Sequence, residues 1–540
     1  MIEEIGGKGN EPLKKLIRNC IVFSLVTHMI CAWFINWIYH ADELFQILEF
    51  GGYKLGFIPA ESLPWEFPAR IRPALQPAMV YAVGKMTGNP VNPILTAFIL
   101  RMFTTIIGWL SLTFITLISL NWVKSIESKK VLLYGYASLW FLPYLHANFS
   151  SESLSGSLFF AGLGCVWMGN HCSQSRKARP AMPRQNDFSG WHSGRDAKPA
   201  RPSHSGGGEL SQRNEIYWLF AAGFLLGFAF VSRVQTGFLI AGLMFWCIFL
   251  HRFSFKKIII IFIPAAIAVA IGFVIDSWFY GEWVNTAWNY YKANIIQGIA
   301  NHYGVFPWWD YLIWSFNMMI PPLGLVVMIG VFYAMVKFPK NIVIVSIIPF
   351  ILIHFVISHK ESRFLFPLID AIPVCLALTY SHFQRLFDKR RKLSTALGKI
   401  FAGFNVICIV VLILKPQQQP YDLYKVVHDK YWNSGAYMFC TSDDPYSFIG
   451  LVVNYYKPDN FTFYPKLRGT NIDSLMAKTN TGIHPVLMFF DREHDEYDFI
   501  KKHPEAKRIY TSIPDWMHWV NVNNWISRTL KLSLYEMPVK

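Results

Sequence analysis

Residues 257–275 read KIIIIFIPAAIAVAIGFVI and form an almost unbroken run of apolar side chains. About 20 mainly apolar residues are enough for an α-helix to cross the hydrocarbon core of a membrane. Similar runs lie near residues 17–38, 93–121, 130–147, 153–170, 217–232, 235–251, 311–336, 341–357, 364–381 and 399–414. The pattern predicts an all-α polytopic membrane protein with about eleven transmembrane helices, the first retained rather than cleaved as a signal. The stretch 73–90 contains prolines and is interpreted as re-entrant or interfacial.

The composition agrees with a membrane protein. Hydrophobic residues make up 53% of the 540-residue chain and charged residues only 16%, which argues against an ordinary soluble protein. The net charge of +16 is spread over short basic clusters between apolar runs, as in cytoplasmic loops, so no nucleic-acid partner is predicted. The eight cysteines show no CxxC and no Cys/His metal spacing, so the sequence predicts neither a disulfide framework nor a metal site.

The basic clusters also predict an orientation. Lys and Arg are enriched in cytoplasmic loops, and with a cytoplasmic N-terminus they fall on alternate sides of the predicted helices. The cytoplasmic face then holds Lys124, Lys129, Lys130, the segment 171–215, Arg252, Lys256, Lys257, Lys337, Lys340 and residues 389–392. The opposite, extracytoplasmic face receives residues 39–91, 147–152, the turn at Arg233, 276–310, 358–363 and everything after about 415.

Two segments lie outside the predicted transmembrane core of residues 1–415. Residues 173–214 are rich in Ser, Arg, Pro and Gly and are predicted to form a disordered cytoplasmic loop. Residues 416–540 alternate strand-like and helix-like patterns and predict a small extracytoplasmic α/β domain. The predicted strands are 436–440, 485–490 and 507–511, and the predicted helices are 446–456 and 496–503.

A first polar cluster, His40-Ala41-Asp42-Glu43 followed by Gln46, begins where the first predicted helix ends. Sugar transfer to a hydroxyl requires a base, and a carboxylate at a partly dry membrane surface is expected to have a raised pKa. Asp42 is therefore the candidate base and Glu43 the second candidate, with His40 and Gln46 as sugar or acceptor ligands. An ordinary solvated loop start is the alternative interpretation.

A second cluster, Ser358-His359-Lys360-Glu361-Ser362-Arg363, lies between two apolar runs. The cationic side chains of His359, Lys360 and Arg363 are suited to a lipid phosphate, with Glu361 beside them as a sugar or acceptor ligand. The alternative is a basic loop that only directs topology, but the cluster falls on the extracytoplasmic face, where that role is not expected.

Aromatic and polar side chains alternate from Asp276 to Asp310, a pattern that suits a sugar or a polyprenyl head group. An aromatic belt at the membrane interface explains the same pattern. The candidate sugar or acceptor ligands here and in the smaller outward-facing polar segments are Arg72, Glu152, Arg233, Asp276, Tyr280 and His302. Because the charge pattern alone places all these clusters on one face, we predict an active site there for a substrate with a buried lipid tail.

These motifs resemble those of glycosyltransferase family 22. HADELFQILEF at 40–50 is similar to the first-loop signature of the family, although Ala41 stands where many members have proline. SHKESRFLFP at 358–367 resembles a second signature, and residues 276–311 resemble a third region. The resemblance implies a GT-C fold, a polyprenyl-phosphate mannose donor, inversion at the anomeric carbon, an extracytoplasmic site and no nucleotide-sugar site, with Asp42 in the acidic catalytic position.

The sequence therefore predicts a mannosyltransferase that moves mannose from a polyprenyl- or dolichyl-phosphate donor to a glycan or glycolipid hydroxyl. The chemistry requires no cofactor and no metal. The alternative is a transporter or flippase of a lipid-linked sugar, which usually carries ionisable residues inside the helical bundle. Here the charges are expected at helix ends, apart from Arg101. A bacterial inner membrane is the favoured location; a eukaryotic source would mean the endoplasmic reticulum, with Asn148 and Asn460 as glycosylation candidates.

Overall fold

The apolar run at 257–275 forms one helix in the computed structural model of the chain. The helix spans Phe255–Tyr280, and Ser254 precedes it in an extended conformation. Gly281 ends it with a φ of 77°, a left-handed conformation that glycine adopts without a steric cost. The structure describes residues 11–35, 40–88, 90–177, 206–414, 421–479 and 484–538.

Helices dominate the chain up to residue 414. In order they are α1 Glu11–Phe34, α2 Glu49–Leu55, α3 Glu66–Ala69, α4 Leu75–Met86, α5 Pro93–Ser119, α6 Ile126–Ser138, α7 Phe141–His146, α8 Ser151–Lys177, α9 Gly206–Ser232, α10 Gly237–Phe245, α11 Phe255–Tyr280, α12 Thr286–Tyr291, α13 Asp310–Met318, α14 Leu323–Lys337, α15 Ile342–Val356, α16 Ile372–Lys389 and α17 Arg391–Leu414. π-helical segments lie at Glu43–Leu48, Trp246–Leu250 and Lys292–Ile296, and 3₁₀ helices at Ala60–Ser62, Val234–Thr236, Ile299–Tyr303 and Ser362–Ala371.

Six of the described helical stretches are long and apolar enough to cross a membrane, namely Glu11–Phe34, Pro93–Ser119, Arg213–Ser232, Phe255–Tyr280, Ser362–Lys389 and Arg391–Leu414. A seventh span arises if α14 and α15, which meet at an angle of 111°, are counted as one broken span. These helices confirm a polytopic membrane protein. The predicted number of about eleven spans stays a prediction, because several predicted runs are shorter or interrupted helices.

The interruptions occur at recognisable places. The predicted run 130–147 is divided into α6 and α7 at Leu139, whose backbone is extended. The run 311–336 is divided into α13 and α14 around Pro321 and Pro322, which cannot supply the amide hydrogens that a continuous helix needs. The predicted disordered segment 173–214 is helical at both ends, where α8 continues to Lys177 and α9 begins at Gly206, and its residues 178–205 lie outside the described chain.

The C-terminal segment forms the predicted α/β domain. Its helices are α18 Tyr421–Tyr431, α19 Ile472–Thr479 and α20 Glu493–Lys502, with 3₁₀ turns at Asp515–Val520, Val522–Asn524 and Ile526–Arg528. Its strands are β1 Ala436–Cys440, β2 Ser447–Phe448, β3 Leu451–Val452, β4 Phe461–Tyr464, β5 Val486–Phe490, β6 Lys507–Thr511 and β7 Ser533–Met537. The main sheet has the order β4-β1-β5-β7-β6, with β4, β1 and β5 parallel and β7 antiparallel to both of its neighbours.

Within this domain the three predicted strands and the helix near 496–503 are confirmed, but the helix predicted at 446–456 is wrong. That segment is a hairpin in which Ser447 pairs with Val452 and Phe448 with Leu451. Its two-residue loop, Ile449 and Gly450, has positive φ angles of 47° and 81°, as a turn between twisted antiparallel strands requires.

The C-terminal domain packs against the segment that follows α1. Tyr446, Tyr455 and Tyr456 share a buried apolar cluster with side chains from residues 41–63. The backbone N–H of Tyr455 donates to Glu49 over 2.9 Å, and the Tyr421 hydroxyl donates to the carbonyl of Ile94 over 3.2 Å. This domain and the first polar cluster therefore lie on the same side of the helical bundle.

Candidate active site

A polar cavity lies where five segments of the helical core meet. The π-helical segment after Asp42, the turn before α4, the start of α8, the end of α9 and the 3₁₀ helix Ser362–Ala371 surround it. The cavity is lined by His40, Asp42, Glu43, Gln46, Ile47, Ile71, Arg72, Pro73, Gln76, Asn148, Ser150, Ser151, Glu152, Ser232, Arg233, Val234, Gln235, Tyr290, Arg363 and Phe366. We refer to it as the charged cavity.

Asp42 is held by cationic side chains. Its Oδ2 lies 2.5 Å from Arg363 Nη2 and 3.6 Å from Arg72 Nη2, and its Oδ1 lies 3.4 Å from His40 Nδ1. Burial raises the pKa of Asp42, but Arg363, the hydrogen bond with His40 and Arg72 outweigh it and hold the pKa well below its usual range. The sequence-based expectation of a raised pKa for this carboxyl is therefore wrong, because Arg363 is in direct contact.

Glu43 has the opposite electrostatic environment. Its Oε1 accepts the Phe149 N–H over 3.0 Å, and its buried Oε2 has no hydrogen-bond partner among the described residues. Burial raises the pKa of Glu43 to about 7; Arg101 and the Phe149 hydrogen bond oppose the shift, and Glu152 adds to it. The pKa values of two adjacent carboxyls are thus shifted in opposite directions.

Arg363 joins the predicted phosphate cluster to the rest of the cavity. Its guanidinium contacts three carboxylates: Asp42, Glu152 over 3.1 Å and Glu361 over 2.5 Å. Glu152 also pairs with Arg233 over 2.8 Å. Arginine suits such a site because its planar guanidinium presents several N–H groups in a fixed fork.

Glu361 connects both histidines of the motifs. It lies 3.3 Å from His40 Nε2 and 3.1 Å from His359 Nε2. The other ring nitrogen of His359 bonds to the Gly304 carbonyl over 2.9 Å. The hydrogen bond with Glu361 raises the pKa of His359 despite partial burial. His359 and Glu361 therefore do not line the cavity. Glu361 contacts the lining residues His40 and Arg363, and His359 holds Glu361.

Lys360 is not directed into the charged cavity. Its Nζ donates to the carbonyls of Phe355, over 3.2 Å, and Ile357 at the end of α15. A lysine in this position satisfies carbonyls that have no partner within the helix and complements the negative end of the helix dipole. Of the three predicted phosphate ligands, the structure brings only Arg363 to the cavity.

The aromatic region supports the site indirectly. Asp276 accepts hydrogen bonds from the Ala74 N–H over 2.7 Å and from the Thr286 hydroxyl over 2.6 Å. The Tyr280 hydroxyl donates to the Arg72 carbonyl over 2.8 Å. These bonds hold the turn that presents Arg72. His302, in the 3₁₀ helix Ile299–Tyr303, is exposed and does not line the cavity.

Sequence reasoning missed Glu66 and Tyr290 as site residues. Glu66 lies 3.6 Å from Arg72 and accepts a hydrogen bond from Gln46 over 3.2 Å. The Arg72 guanidinium lies 5.8 Å from the centre of the Tyr290 ring, and the Tyr290 hydroxyl accepts from Gln235 over 2.6 Å. Glu66 is one of few carboxylates in the segment 39–91, which is the only signal that marks it.

A second, apolar cavity adjoins the first at Phe366. It is lined by Trp140, Phe141, Tyr144, Leu145, Tyr311, Leu312, Ser315, Met318, Met319, Val327, Met328, Val331, Phe332, Met335, Ile347, Ile351, Phe355, Ser362, Leu365, Phe366, Leu368, Ile369, Ala371, Ile372 and Cys375. The 3₁₀ helix Ser362–Ala371 separates the two cavities, with Arg363 on the charged side and Leu365 and Leu368 on the apolar side. Among the residues that the structure describes, no group of His, Cys, Asp or Glu is arranged to hold a metal ion.

Comparison with known proteins matches residues 20–434 to the Alg9-like mannosyltransferase family. GPI alpha-1,2-mannosyltransferase 3 of Danio rerio is 28% identical over 131 residues, 24% of each chain. GPI mannosyltransferase 3 of Candida albicans is 28% identical over 165 residues, 30% of this chain and 33% of that protein. Human alpha-1,2-mannosyltransferase ALG9 is 25% identical over 232 residues, 38% and 37% of the two chains. The alignments thus span well under half the length of these relatives.

Among solved structures, ArnT from Cupriavidus metallidurans bound to undecaprenyl phosphate is similar with a TM-score of 0.50. The similarity covers 96% of this chain and 97% of ArnT at 11% sequence identity. It confirms the predicted GT-C membrane fold with a small C-terminal sheet domain.

Proposed function

Because the chain belongs to the Alg9-like mannosyltransferase family, we propose that it transfers mannose from a lipid-phosphate donor to a hydroxyl of a glycan or glycolipid acceptor. The donor is a polyprenyl- or dolichyl-phosphate mannose. The observation that carries the proposal is the contact of 2.5 Å between Asp42 and Arg363. It joins a candidate base and a candidate phosphate ligand, from motifs more than 300 residues apart, in one cavity.

The proposed reaction is a single displacement. Asp42 takes the proton of the acceptor hydroxyl while the hydroxyl oxygen forms a bond to C1 of mannose. The bond between C1 and the phosphate oxygen breaks on the opposite face, so the anomeric configuration inverts. Arg363 stabilises the negative charge that develops on the departing lipid phosphate.

In this scheme, donor binding also raises the pKa of the base, Asp42. The contact with Arg363 keeps the pKa of Asp42 low, and a carboxylate with a low pKa is a weak base. A donor phosphate offers Arg363 a further anionic partner beside Asp42, Glu152 and Glu361. As the contact with Asp42 weakens, the pKa of Asp42 rises and the carboxylate becomes a stronger base only when the donor is in place.

The apolar cavity suits the lipid chain of the donor. The two cavities share Phe366 as a lining residue, and in this scheme a donor with its phosphate at Arg363 places its hydrocarbon chain beside Leu365 and Leu368. ArnT, which shares the fold, was solved with undecaprenyl phosphate, a ligand of the same chemical class.

We place the site on the extracytoplasmic or lumenal face. The apolar stretch Arg213–Ser232 of α9 is long enough to cross a membrane and ends at the cavity. Its 20 residues extend for about 30 Å at 1.5 Å per residue, which carries the basic segment before it to the opposite side of a bilayer, where positive charge is expected. The bacterial inner membrane stays a sequence-based prediction.

The test is Asp42→Asn, assayed in proteoliposomes with dolichyl-phosphate mannose and a synthetic GPI-type glycan acceptor. Loss of the base is expected to lower turnover by about 10²- to 10⁴-fold. Glu282→Gln is the matched control, because Glu282 pairs with Arg70 near the same face but lies about half exposed and outside the cavity. Turnover of Asp42→Asn close to that of the control would remove Asp42 from the proposed role.

A further inference from the structure

Four buried polar side chains form a continuous hydrogen-bonded chain inside the helical bundle, away from the charged cavity. His28 Nε2 lies 3.1 Å from His146 Nδ1, His146 Nε2 lies 3.0 Å from Asp370 Oδ1, and Ser111 donates to Asp370 Oδ2 over 3.1 Å. The four side chains are at most 2% exposed. Ionisable side chains are thus present in the bundle interior besides Arg101, the exception that the sequence indicated.

The hydrogen bonds determine how many protons the four-residue hydrogen-bonded chain holds. His28 Nδ1 faces the Ser24 carbonyl at 2.7 Å, so this nitrogen must carry a hydrogen. Suppose that both imidazoles were neutral and Asp370 ionised. Then two acceptor atoms without a hydrogen would face each other, either His28 Nε2 and His146 Nδ1 or His146 Nε2 and Asp370 Oδ1. One further proton is therefore required, and wherever it resides, His28, His146 and Asp370 together have no net charge.

A neutral hydrogen-bonded chain in which every bond is formed costs little free energy to bury, and it is rigid. An unpaired charge inside a membrane protein is costly, whereas a satisfied polar network is stabilised by the low dielectric around it. The neighbouring helix leaves room for the network: a Cβ at Gly108 of α5 would lie 2.4 Å from the His146 ring, so a larger residue there would displace the imidazole.

The chain fastens two segments that shape the charged cavity. Asp370 lies on the 3₁₀ helix that carries Arg363. His146 is the last residue of α7, and the turn after it presents the Phe149 N–H to Glu43 and leads into α8, where Glu152 holds Arg363. His28 links His146 directly to α1, and Asp370 is linked to α1 through His146.

We propose that His28, His146 and Asp370 act as positioning residues, which set the separation between the 3₁₀ helix and the turn 147–150 so that Arg363 meets Asp42 and Glu152. The proposal rests on the proposed function, since Arg363 is the phosphate ligand there. The network acts through its hydrogen-bond geometry and not by moving a proton to or from the substrate.

Two substitutions at one position separate geometry from charge. In Asp370→Asn the amide donates to a neutral His146 Nε2 and its oxygen accepts from Ser111, so every bond is kept. In Asp370→Ala both partners lose their bond. Because misplacement of a reacting group by about 1 Å can cost about 10²-fold, Asp370→Ala is expected to lower kcat by about 100-fold. The kcat of Asp370→Asn is expected to stay within about 3-fold of the wild-type value, because this exchange keeps the hydrogen-bonded network.

A readout independent of transfer is hydrogen–deuterium exchange of peptides covering 145–152 and 362–371. Uptake in both is expected to rise in Asp370→Ala but not in Asp370→Asn. The control is Ser346→Ala, which removes a fully buried hydroxyl that donates within its own helix, to the Ile342 carbonyl over 2.7 Å. If Asp370→Ala is not recovered folded, His28→Ala, which removes only the end of the chain, tests the same expectation in both peptides.

The outcomes distinguish this proposal from the proposed function. Equal losses of kcat in Asp370→Asn and Asp370→Ala would overturn positioning, as would unchanged exchange and kcat in Asp370→Ala or its substitute. If wild-type protein transfers no mannose while exchange follows the expected pattern, the proposed function fails and the role of the network in holding the two segments stands.

Discussion

The charged cavity and the His28–His146–Asp370 chain both place ionisable side chains inside the bundle. They differ in how many of the polar atoms of these side chains have a hydrogen-bond partner. In the cavity, Glu43 Oε2, Arg72 Nε and Arg233 Nε have no hydrogen-bond partner among the described residues. Along the chain, each ring nitrogen and carboxylate oxygen has one. Unmatched polar atoms are costly to bury, so they are expected where a ligand supplies the missing partners, whereas a closed network is expected where the fold is held.

The largest effect that would sharpen this contrast concerns Glu152, the carboxylate shared by Arg233 and Arg363. Glu152→Gln leaves two guanidiniums facing each other without the anion between them. Because removal of one partner from a buried ion pair leaves an uncompensated charge, we expect a loss of about 3 kcal/mol in stability. The measurement is the thermal unfolding midpoint of detergent-solubilised protein.

Glu127→Gln provides the comparison, because Glu127 pairs with Lys130 over 2.9 Å and both side chains are more than a third exposed. An exposed pair of this kind contributes at most about 1 kcal/mol. Equal shifts of the midpoint in the two variants would contradict the view that Glu152 compensates two buried guanidiniums.

A smaller effect is expected at Glu49, a buried carboxyl outside both regions that bonds to Tyr455 of the C-terminal domain. Burial raises the pKa of Glu49 to about 7, against the hydrogen bonds from Tyr455 and Asn454. In the unfolded chain this carboxyl loses its proton near its ordinary pKa of about 4.3. Between these values the folded state binds more protons, so its contribution to stability falls as the pH rises.

Glu49→Gln removes this titration while its amide oxygen still accepts the Tyr455 N–H. The unfolding midpoint of the variant is therefore expected to depend less steeply on pH between about 4.5 and 7 than that of wild type. Glu43, whose pKa is also raised to about 7, keeps part of the slope in the variant. Identical slopes in the two proteins would show that Glu49 is not held protonated by burial.

Much of the architecture could be predicted from the sequence. Apolar runs indicated the membrane helices, and alternating patterns located β1, β5 and β6. Asp42 and Arg363 were expected on one face because positive charge alternates between loops, and they lie in one cavity. Each of these inferences needs only a local pattern or a count of charges.

The remaining features depend on tertiary contacts. Lys360 belongs to the same motif as Arg363, but its direction is set by the free carbonyls at the end of α15. The low pKa of Asp42 follows from a contact with a residue more than 300 positions away. His28 and Asp370 lie within apolar runs, and nothing in their neighbourhoods marks them as partners of His146.

The most direct test of the central claim, that Arg363 exchanges Asp42 for the donor phosphate, is the affinity of purified protein for undecaprenyl phosphate. Asp42→Asn removes the competing carboxylate and is expected to bind this lipid at least as tightly as wild type, even though transfer is lost. Arg363→Gln removes charge-assisted hydrogen bonds and is expected to bind about 10- to 100-fold more weakly. Lys360→Gln, whose ammonium is directed to α15, is expected to leave the affinity unchanged. If Asp42→Asn weakens binding as much as Arg363→Gln, the two residues do not compete and the account is contradicted.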